Sequence, residues 1–188
     1  MTVTLYTVGH SNQTLDQFLT LLHAFQIRRL VDVRRFPSSR RYPHFNRENL
    51  AESLSDHKIE YLWCEALGGR RQSEASADSP NSALRDPGFR HYADYMMTQP
   101  FTQAIDHLID LAKNAAAAVM CAEKLHWRCH RRLIADYLTA VRSVSVQHIL
   151  DPGRTLPHVL TEGAAVENQR LSYPQPTLFD HSHDRKAD

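Results

Sequence analysis

The period of the hydrophobic positions changes repeatedly along the first 150 residues, and each change marks an element. "VTLYTVGH" (residues 3–10) is a short β-rich run that stops at Gly9. Thr14 then opens "TLDQFLTLLHAF", in which Leu15, Phe18, Leu19, Leu22 and Phe25 share one helical face. Gln17 stands three residues after Thr14, the spacing of a capping box. "RLVDVR" predicts a second strand. Asn46 stands where it would cap a second helix, "RENLAESLSDHK", and "IEYLWCEAL" predicts a third strand ending at Gly68-Gly69. The polar stretch 70–88 reads as a long loop of the kind that serves as a lid. Helical spacing resumes in "FRHYADYMMTQPFTQAIDHLIDLAKN", with a restart near Thr98 to Phe101 because Pro100 cannot sit inside a helix. "AAAAVMCAE" predicts a fourth strand, residues 130–141 a further helix, and "SVSVQHIL" a fifth strand.

Strands separated by helices imply an α/β fold: one three-layer domain with a mostly parallel sheet of about five strands and helices on both faces. The domain is expected over residues 1–158. Residues 159–188, where the periodicity fades, are expected to form a C-terminal extension and polar tail. In open parallel sheets, ligands gather at the carboxyl ends of the strands. That rule selects His10 and Ser11 after the first strand, Asp32 and Arg34 at the second, and Cys121 and Glu123 at the fourth.

Charge sharpens this picture locally. The net charge is only +1 over 188 residues, which excludes a globally basic nucleic-acid binder. Yet residues 28–47 carry seven arginines against one aspartate, interleaved with Phe36, Pro37, Tyr42, Pro43 and Phe45. Such a mixture suits an ordered binding surface. No apolar run reaches the roughly 18 residues of a membrane span, so no membrane association is expected. The first ten residues lack the features of a secretory leader, and three cysteines make no disulfide framework. A cytoplasmic protein with free thiols is the expectation.

The densest chemistry lies in "CAEKLHWRCHRRLIADYL" (residues 121–138). Cysteines seven residues apart do not announce a closed zinc site, which usually shows paired short spacings, so neither a metal nor a cofactor is expected. The segment has no glycine to curl backbone N–H groups around a phosphate in a phosphatase-like loop. Cys129 would stand close to a helix start beside Arg128 and Arg131, a setting that acidifies a thiol. Cations at that helix start are electrostatically misplaced unless an anion joins them. His130 and Arg131 are therefore expected to bind substrate together with Ser11, Arg34, Ser39 and Arg40. His10, Asp32, Cys121, Glu123 and Cys129 are the catalytic candidates.

"YTVGHSN", "DVRRFPSSRRYPHFN", "YLWCEALGGRR", "FRHYADYMMT" and "VMCAEKLHWRCHRRLIADYL" together resemble the domain-of-unknown-function 488 family, over about Leu5 to His158. The resemblance implies the same α/β architecture and brings no established reaction with it. Its motifs coincide with His10, Ser11, Asp32, Arg34, Pro37, Ser39, Cys121, Glu123, Cys129, His130 and Arg131.

The expected function is an enzyme acting on a phosphate-bearing substrate, a nucleotide or nucleic acid. The alternatives are a non-catalytic binding module linked to DNA repair, and a thiol-redox or metal-dependent enzyme. In the tail, Gln175, Leu178 and Phe179 have the Q-x-x-L-F spacing that resembles the peptide by which bacterial polymerases and repair proteins dock on the sliding clamp.

Overall fold

A computed structural model describes residues 3–71 and 79–175 of the chain. Its main sheet has six strands in the order β3-β2-β4-β1-β5-β6. They are β1 (Thr4–Gly9), β2 (Arg29–Asp32), β3 (Glu60–Trp63), β4 (Ala117–Cys121), β5 (Ser145–Asp151) and β6 (Arg154–Pro157). The first five run parallel, and β6 returns antiparallel on β5. The helices are α1 (Leu15–Ala24), α2 (Arg47–Asp56), α3 (Pro87–Met96), α4 (Gln99–Asn114) and α5 (Arg131–Ala140).

The strand order decides where the helices go. From β1 to β3 the chain steps towards one edge of the sheet, and from β3 to β5 it steps back. Right-handed crossovers then place α1 and α2 on one face and α3, α4 and α5 on the other. The cores agree. Phe18, Leu22, Leu50 and Leu54 pack with Ala118 and Met120 on the first face. Ile105, Leu108, Leu133, Ile134 and Leu138 pack with Val119 and Cys121 on the second. Alternate residues of one central strand thus serve two cores, which is why "AAVMC" is apolar throughout.

The helix boundaries follow local chemistry. Thr14 Oγ1 accepts from Gln17 N at 3.2 Å and Thr14 N donates to Gln17 Oε1 at 3.0 Å, completing the capping box. Pro100 stands in the first turn of α4, as the restart requires. Asn46 occupies the N-cap of α2, but its side chain accepts from Ser39 N at 2.6 Å instead of capping. It pins the arginine-rich loop after β2.

Two expectations are revised. The sheet gains β6, and a hairpin of β7 (Ala165–Glu167) and β8 (Arg170–Ser172) follows. The extension beyond residue 158 therefore belongs to the body of the domain as far as Tyr173, which is fully buried. The polar 70–88 stretch is shorter as a loop, since α3 opens at Pro87 under an Asp86 cap. Asn81 anchors its second half by donating to Asp94 Oδ1 at 2.7 Å and accepting from Tyr173 N at 3.0 Å. Residues 72–78 of the expected lid lie outside the described residues.

Candidate functional site

The connections after β1 and β4 leave in opposite directions, so the sheet has its switch point between these adjacent strands. A cleft of about 800 Å³ opens there, within the size range of small-molecule sites, about 300–1,000 Å³. Its lining includes His10, Ser11, Arg34, Ser39, Cys121, Glu123, Cys129 and His130, all named from sequence. Asp32, Arg40 and Arg131 are absent from that lining. Ser38, Gly69, Arg70, Phe89, Tyr92 and Arg128 join it without having been assigned to the site. Gly69 and Arg70 were findable, because they follow β3 and the strand-end rule applies to that strand too.

Gly9 makes the switch point possible. A β-carbon there would lie 2.0 Å from the Glu123 carbonyl oxygen, so only glycine lets the chain after β4 cross the end of β1. Ser11 follows in the left-handed region at φ 51° and donates its N–H to Ala122 O at 2.9 Å. That conformation costs a non-glycine residue roughly 1–2 kcal/mol. It is held by the β1–β4 backbone bonds, which continue past both strands.

The base of the cleft is built around Arg34. Its guanidinium donates to Asp32 through Nε at 2.9 and 3.0 Å and through Nη2 at 2.5 Å. Nη1 reaches His10 Nε2 at 3.3 Å. Because arginine can only donate, His10 Nε2 is the acceptor, and His10 Nδ1–H donates to Ser11 O at 3.0 Å. The ring stacks on Phe45 at 4.1 Å between centroids. Burial, with the Arg34 charge behind it, lowers the His10 pKa to about 4.

Asp32 is fully buried and also accepts from Tyr61 Oη at 2.6 Å and Arg34 N at 2.9 Å. With every partner in place, Asp32 and His10 position Arg34 and have no spare capacity for proton transfer. Two of the five Arg34 N–H groups have no partner among the described residues. Tyr61 and Trp63 are half-buried on the edge strand β3. Trp63 Nε1 donates to Arg34 O at 3.0 Å.

The wall of the cleft carries the sulfurs. Cys121 ends β4 on the α5 face, and Cys129 and His130 stand just before α5. The two Sγ atoms and His130 Nδ1 all lie within 4.8 Å of one another. Cys129 Sγ is 3.5 Å and Cys121 Sγ 4.0 Å from Nδ1. The other ring nitrogen, Nε2, lies 3.0 Å from Val33 O. A carbonyl only accepts, so Nε2 carries a proton and Nδ1 faces the sulfurs. The Cys121 thiol donates to Cys129, and this bond, with the nearby His130 and Arg131, lowers the Cys129 pKa well below its ordinary value. The same bond, helped by burial, raises the Cys121 pKa.

Arg131 is the clearest departure from expectation. It is 1% exposed and points away from the cleft. Nη2 donates to the Glu123 and Lys124 carbonyls, and Nη1 donates to Thr7 Oγ1 at 3.3 Å. It locks the 121–130 segment to β1 and does not form part of an anion cradle. Arg40 is exposed and outside the cleft. Gln175 is exposed, while Leu178 and Phe179 of the tail motif lie outside the described residues.

Residues 14–138, from just before α1 to near the end of α5, match a family model described as "Domain of unknown function DUF488". The chain belongs to the DUF488 family. No curated protein and no solved structure matches it. The DUF488 match takes in Arg34, Cys121, Cys129 and His130, while His10 and Ser11 lie just before it. No helix among the described residues is long and apolar enough to cross a membrane.

Proposed function

We propose that this DUF488 chain is an enzyme that binds a phosphate-bearing substrate, a nucleotide or nucleic acid, in the cleft between β1 and β4. One observation carries the reading. The same cleft is lined by Arg34, Arg35, Arg70 and Arg128 with Asp86 and Glu123, Arg34 being paired with Asp32 and Arg35 with Glu65 behind the lining, and its wall carries a cysteine of lowered pKa beside a histidine. Four guanidinium groups converging on a concave, partly desolvated site offer N–H donors to an oxyanion, and the Ser11, Ser38 and Ser39 hydroxyls add neutral donors. Arg34, fixed by Asp32 and His10, is the preorganised member. Arg35 and Arg128 are its adjustable partners. Cys129 supplies the reactive atom, as a nucleophile or as a ligand, and Tyr92 and Phe89 give the cleft its apolar side.

Titrating orthophosphate, nucleotides and short oligonucleotides into the protein by calorimetry tests this. Arg128→Ala is expected to weaken the best of these ligands about tenfold, the loss of roughly 1.4 kcal/mol of charge-assisted bonding. Its thermal midpoint should not move, since Arg128 is exposed. Absence of saturable binding by any of these ligands to the unaltered protein would reject the reading.

A further inference from the structure

Cysteines separated by seven residues look wrong for a metal, yet the fold brings Cys121 from the end of β4 onto Cys129 and His130 at the start of α5. We propose that Cys121 Sγ, Cys129 Sγ and His130 Nδ1 form a metal site for a borderline-soft divalent cation, zinc best of all, with its fourth position open to the cleft. Five observations support it.

The spacing fits. In a tetrahedral zinc centre with bonds of roughly 2.3 Å to sulfur and 2.05 Å to nitrogen, a sulfur and a nitrogen stand about 3.6 Å apart. The two sulfurs here stand 3.5 and 4.0 Å from Nδ1. The histidine is oriented for coordination, because Nε2–H is held by Val33 O and Nδ1, the nitrogen that would bind the ion, is aimed at both sulfurs. Arg131 N donates to Cys129 Sγ at 3.5 Å, a bond that fixes the sulfur and favours its thiolate.

Gly69 fixes where the His130 ring can stand. A β-carbon at that position would come within 2.7 Å of Nδ1 and 3.1 Å of Cγ and Cε1, over the ring face, so any larger residue would push the coordinating nitrogen out of place. The donor set is also incomplete. No fourth His, Cys, Asp or Glu ligand atom belongs to the cluster among the described residues, and all three ligands line the cleft. Three protein ligands and one open position are the arrangement of catalytic rather than structural zinc. On binding, both sulfurs coordinate as thiolates and their protons pass to solvent. A zinc-bound water in the fourth position ionises near neutral pH, beside the arginines of the cleft. The ion occupies this site whether or not the cleft takes a phosphate ester.

The test is anaerobic titration of Co²⁺ alone into reduced, metal-free, full-length protein. The expected result is one equivalent bound, an intense tetrahedral d–d spectrum, a sulfur-to-cobalt charge-transfer band, and bleaching of both by Zn²⁺. Cys129→Ser should remove most of the charge-transfer band. Gly69→Ala, which keeps all three ligands and crowds the His130 ring, should weaken binding by about 10- to 100-fold. Should the cysteine variant not fold, the spectrum of the unaltered protein still decides. Cobalt bound without a charge-transfer band, or no saturable binding while all three thiols titrate as free, would overturn the proposal. Phosphate and nucleotide binding by the metal-free protein is read separately, so either idea can fail alone.

Discussion

His130 and Arg131 are neighbours in sequence, and they enter two polar clusters that behave in opposite ways. His130 belongs to the cleft cluster with Cys121 and Cys129. Arg131 begins a chain that crosses the interior: Arg131 Nη1 to Thr7 Oγ1 at 3.3 Å, Thr7 Oγ1 to His148 Nδ1 at 2.7 Å, His148 Nε2 to His158 Nδ1 at 2.9 Å, and His158 Nε2 to Asp136 Oδ1 at 2.8 Å. Tyr173 Oη closes it by donating to Asp136 Oδ2 at 2.7 Å. One assignment of protons satisfies every link, with donation running from the buried cation to the buried carboxylate. The cleft cluster instead sets His130 Nδ1 and two sulfurs in the wall of the cleft. Both clusters join histidine to a neighbouring cation, so residue type alone does not separate them. What separates them is where their polar atoms face. Those of the interior chain meet one another, with Arg131 Nε alone left without a partner among the described residues, and those of the cleft cluster line a cavity that a ligand can enter.

Cutting the interior chain is expected to give the largest effect. Asp136→Ala strands His158, Tyr173 and the Thr161 N–H, all of which bond to its carboxylate. Loss of one partner from a buried charged network costs about 3–5 kcal/mol. In a domain of this size that is a fall of about 10 °C in the midpoint. Cys129→Ser should cost no more than about 2 kcal/mol, because serine fills nearly the same space and its hydroxyl can still accept from Arg131 N. Urea titrations of both variants measure the contrast. Equal losses would mean that the cleft cluster is structural as well.

Acid should act on the interior chain next. Burial, then His126 and His158, lower the His148 pKa to about 2 from the usual 6.5, and burial and Arg34 lower that of His10 to about 4. His148 is faced by His126, stacked at 3.6 Å between centroids, and by His158 and Arg131; His10 is faced by Arg34, Asp32 and His44. Both rings stay neutral in the folded protein, whereas the unfolded chain takes up protons below pH 6.5. Their contribution is therefore complete above that pH and is lost as the pH falls towards 4. Each contributes a slope of about 1.4 kcal/mol per pH unit, together about 3 kcal/mol between pH 8 and 5.5. Chemical unfolding of His148→Gln across that range should show a slope shallower by one proton. An unchanged slope would place the proton uptake elsewhere.

The sequence was most legible where the cause is local. The capping box of Thr14 and Gln17, the restart at Pro100, and the unbroken apolar run of β4 each depend on neighbours within a few residues. The strand-end rule then brought His10, Arg34, Cys121 and Glu123 together without knowledge of contacts. Short edge elements were harder. β6 is four residues long and largely exposed, so it shows no alternation, and the hairpin of β7 and β8 is shorter still. Partners far apart in sequence were not legible at all. Nothing near Arg131 says that its guanidinium meets carbonyls at 123 and 124, and nothing near Gly69 says that it backs His130. The metal reading was discounted on ligand spacing, a guide that fails when the fold, and not a single loop, assembles the donors.

The smallest expected effect concerns Tyr61, and it separates two meanings of Asp32. Tyr61 Oη is one of the donors to Asp32, whose carboxylate also takes the Arg34 side chain and backbone N–H. Tyr61→Phe removes one bond and leaves the ion pair intact. Stability should fall by about 1 kcal/mol, less than for a stranded charge because the lone pair faces a half-exposed edge strand. If Asp32 only orients Arg34, affinity for a phosphate-bearing ligand should change less than about threefold, because the guanidinium stays anchored by its two-nitrogen contact. If Asp32 were instead a general base, losing a donor to its carboxylate would change the rate at saturating substrate and not only the affinity. Ligand titration and a rate measurement on this one variant distinguish the roles. The geometry favours orientation, since every Asp32 oxygen is already occupied.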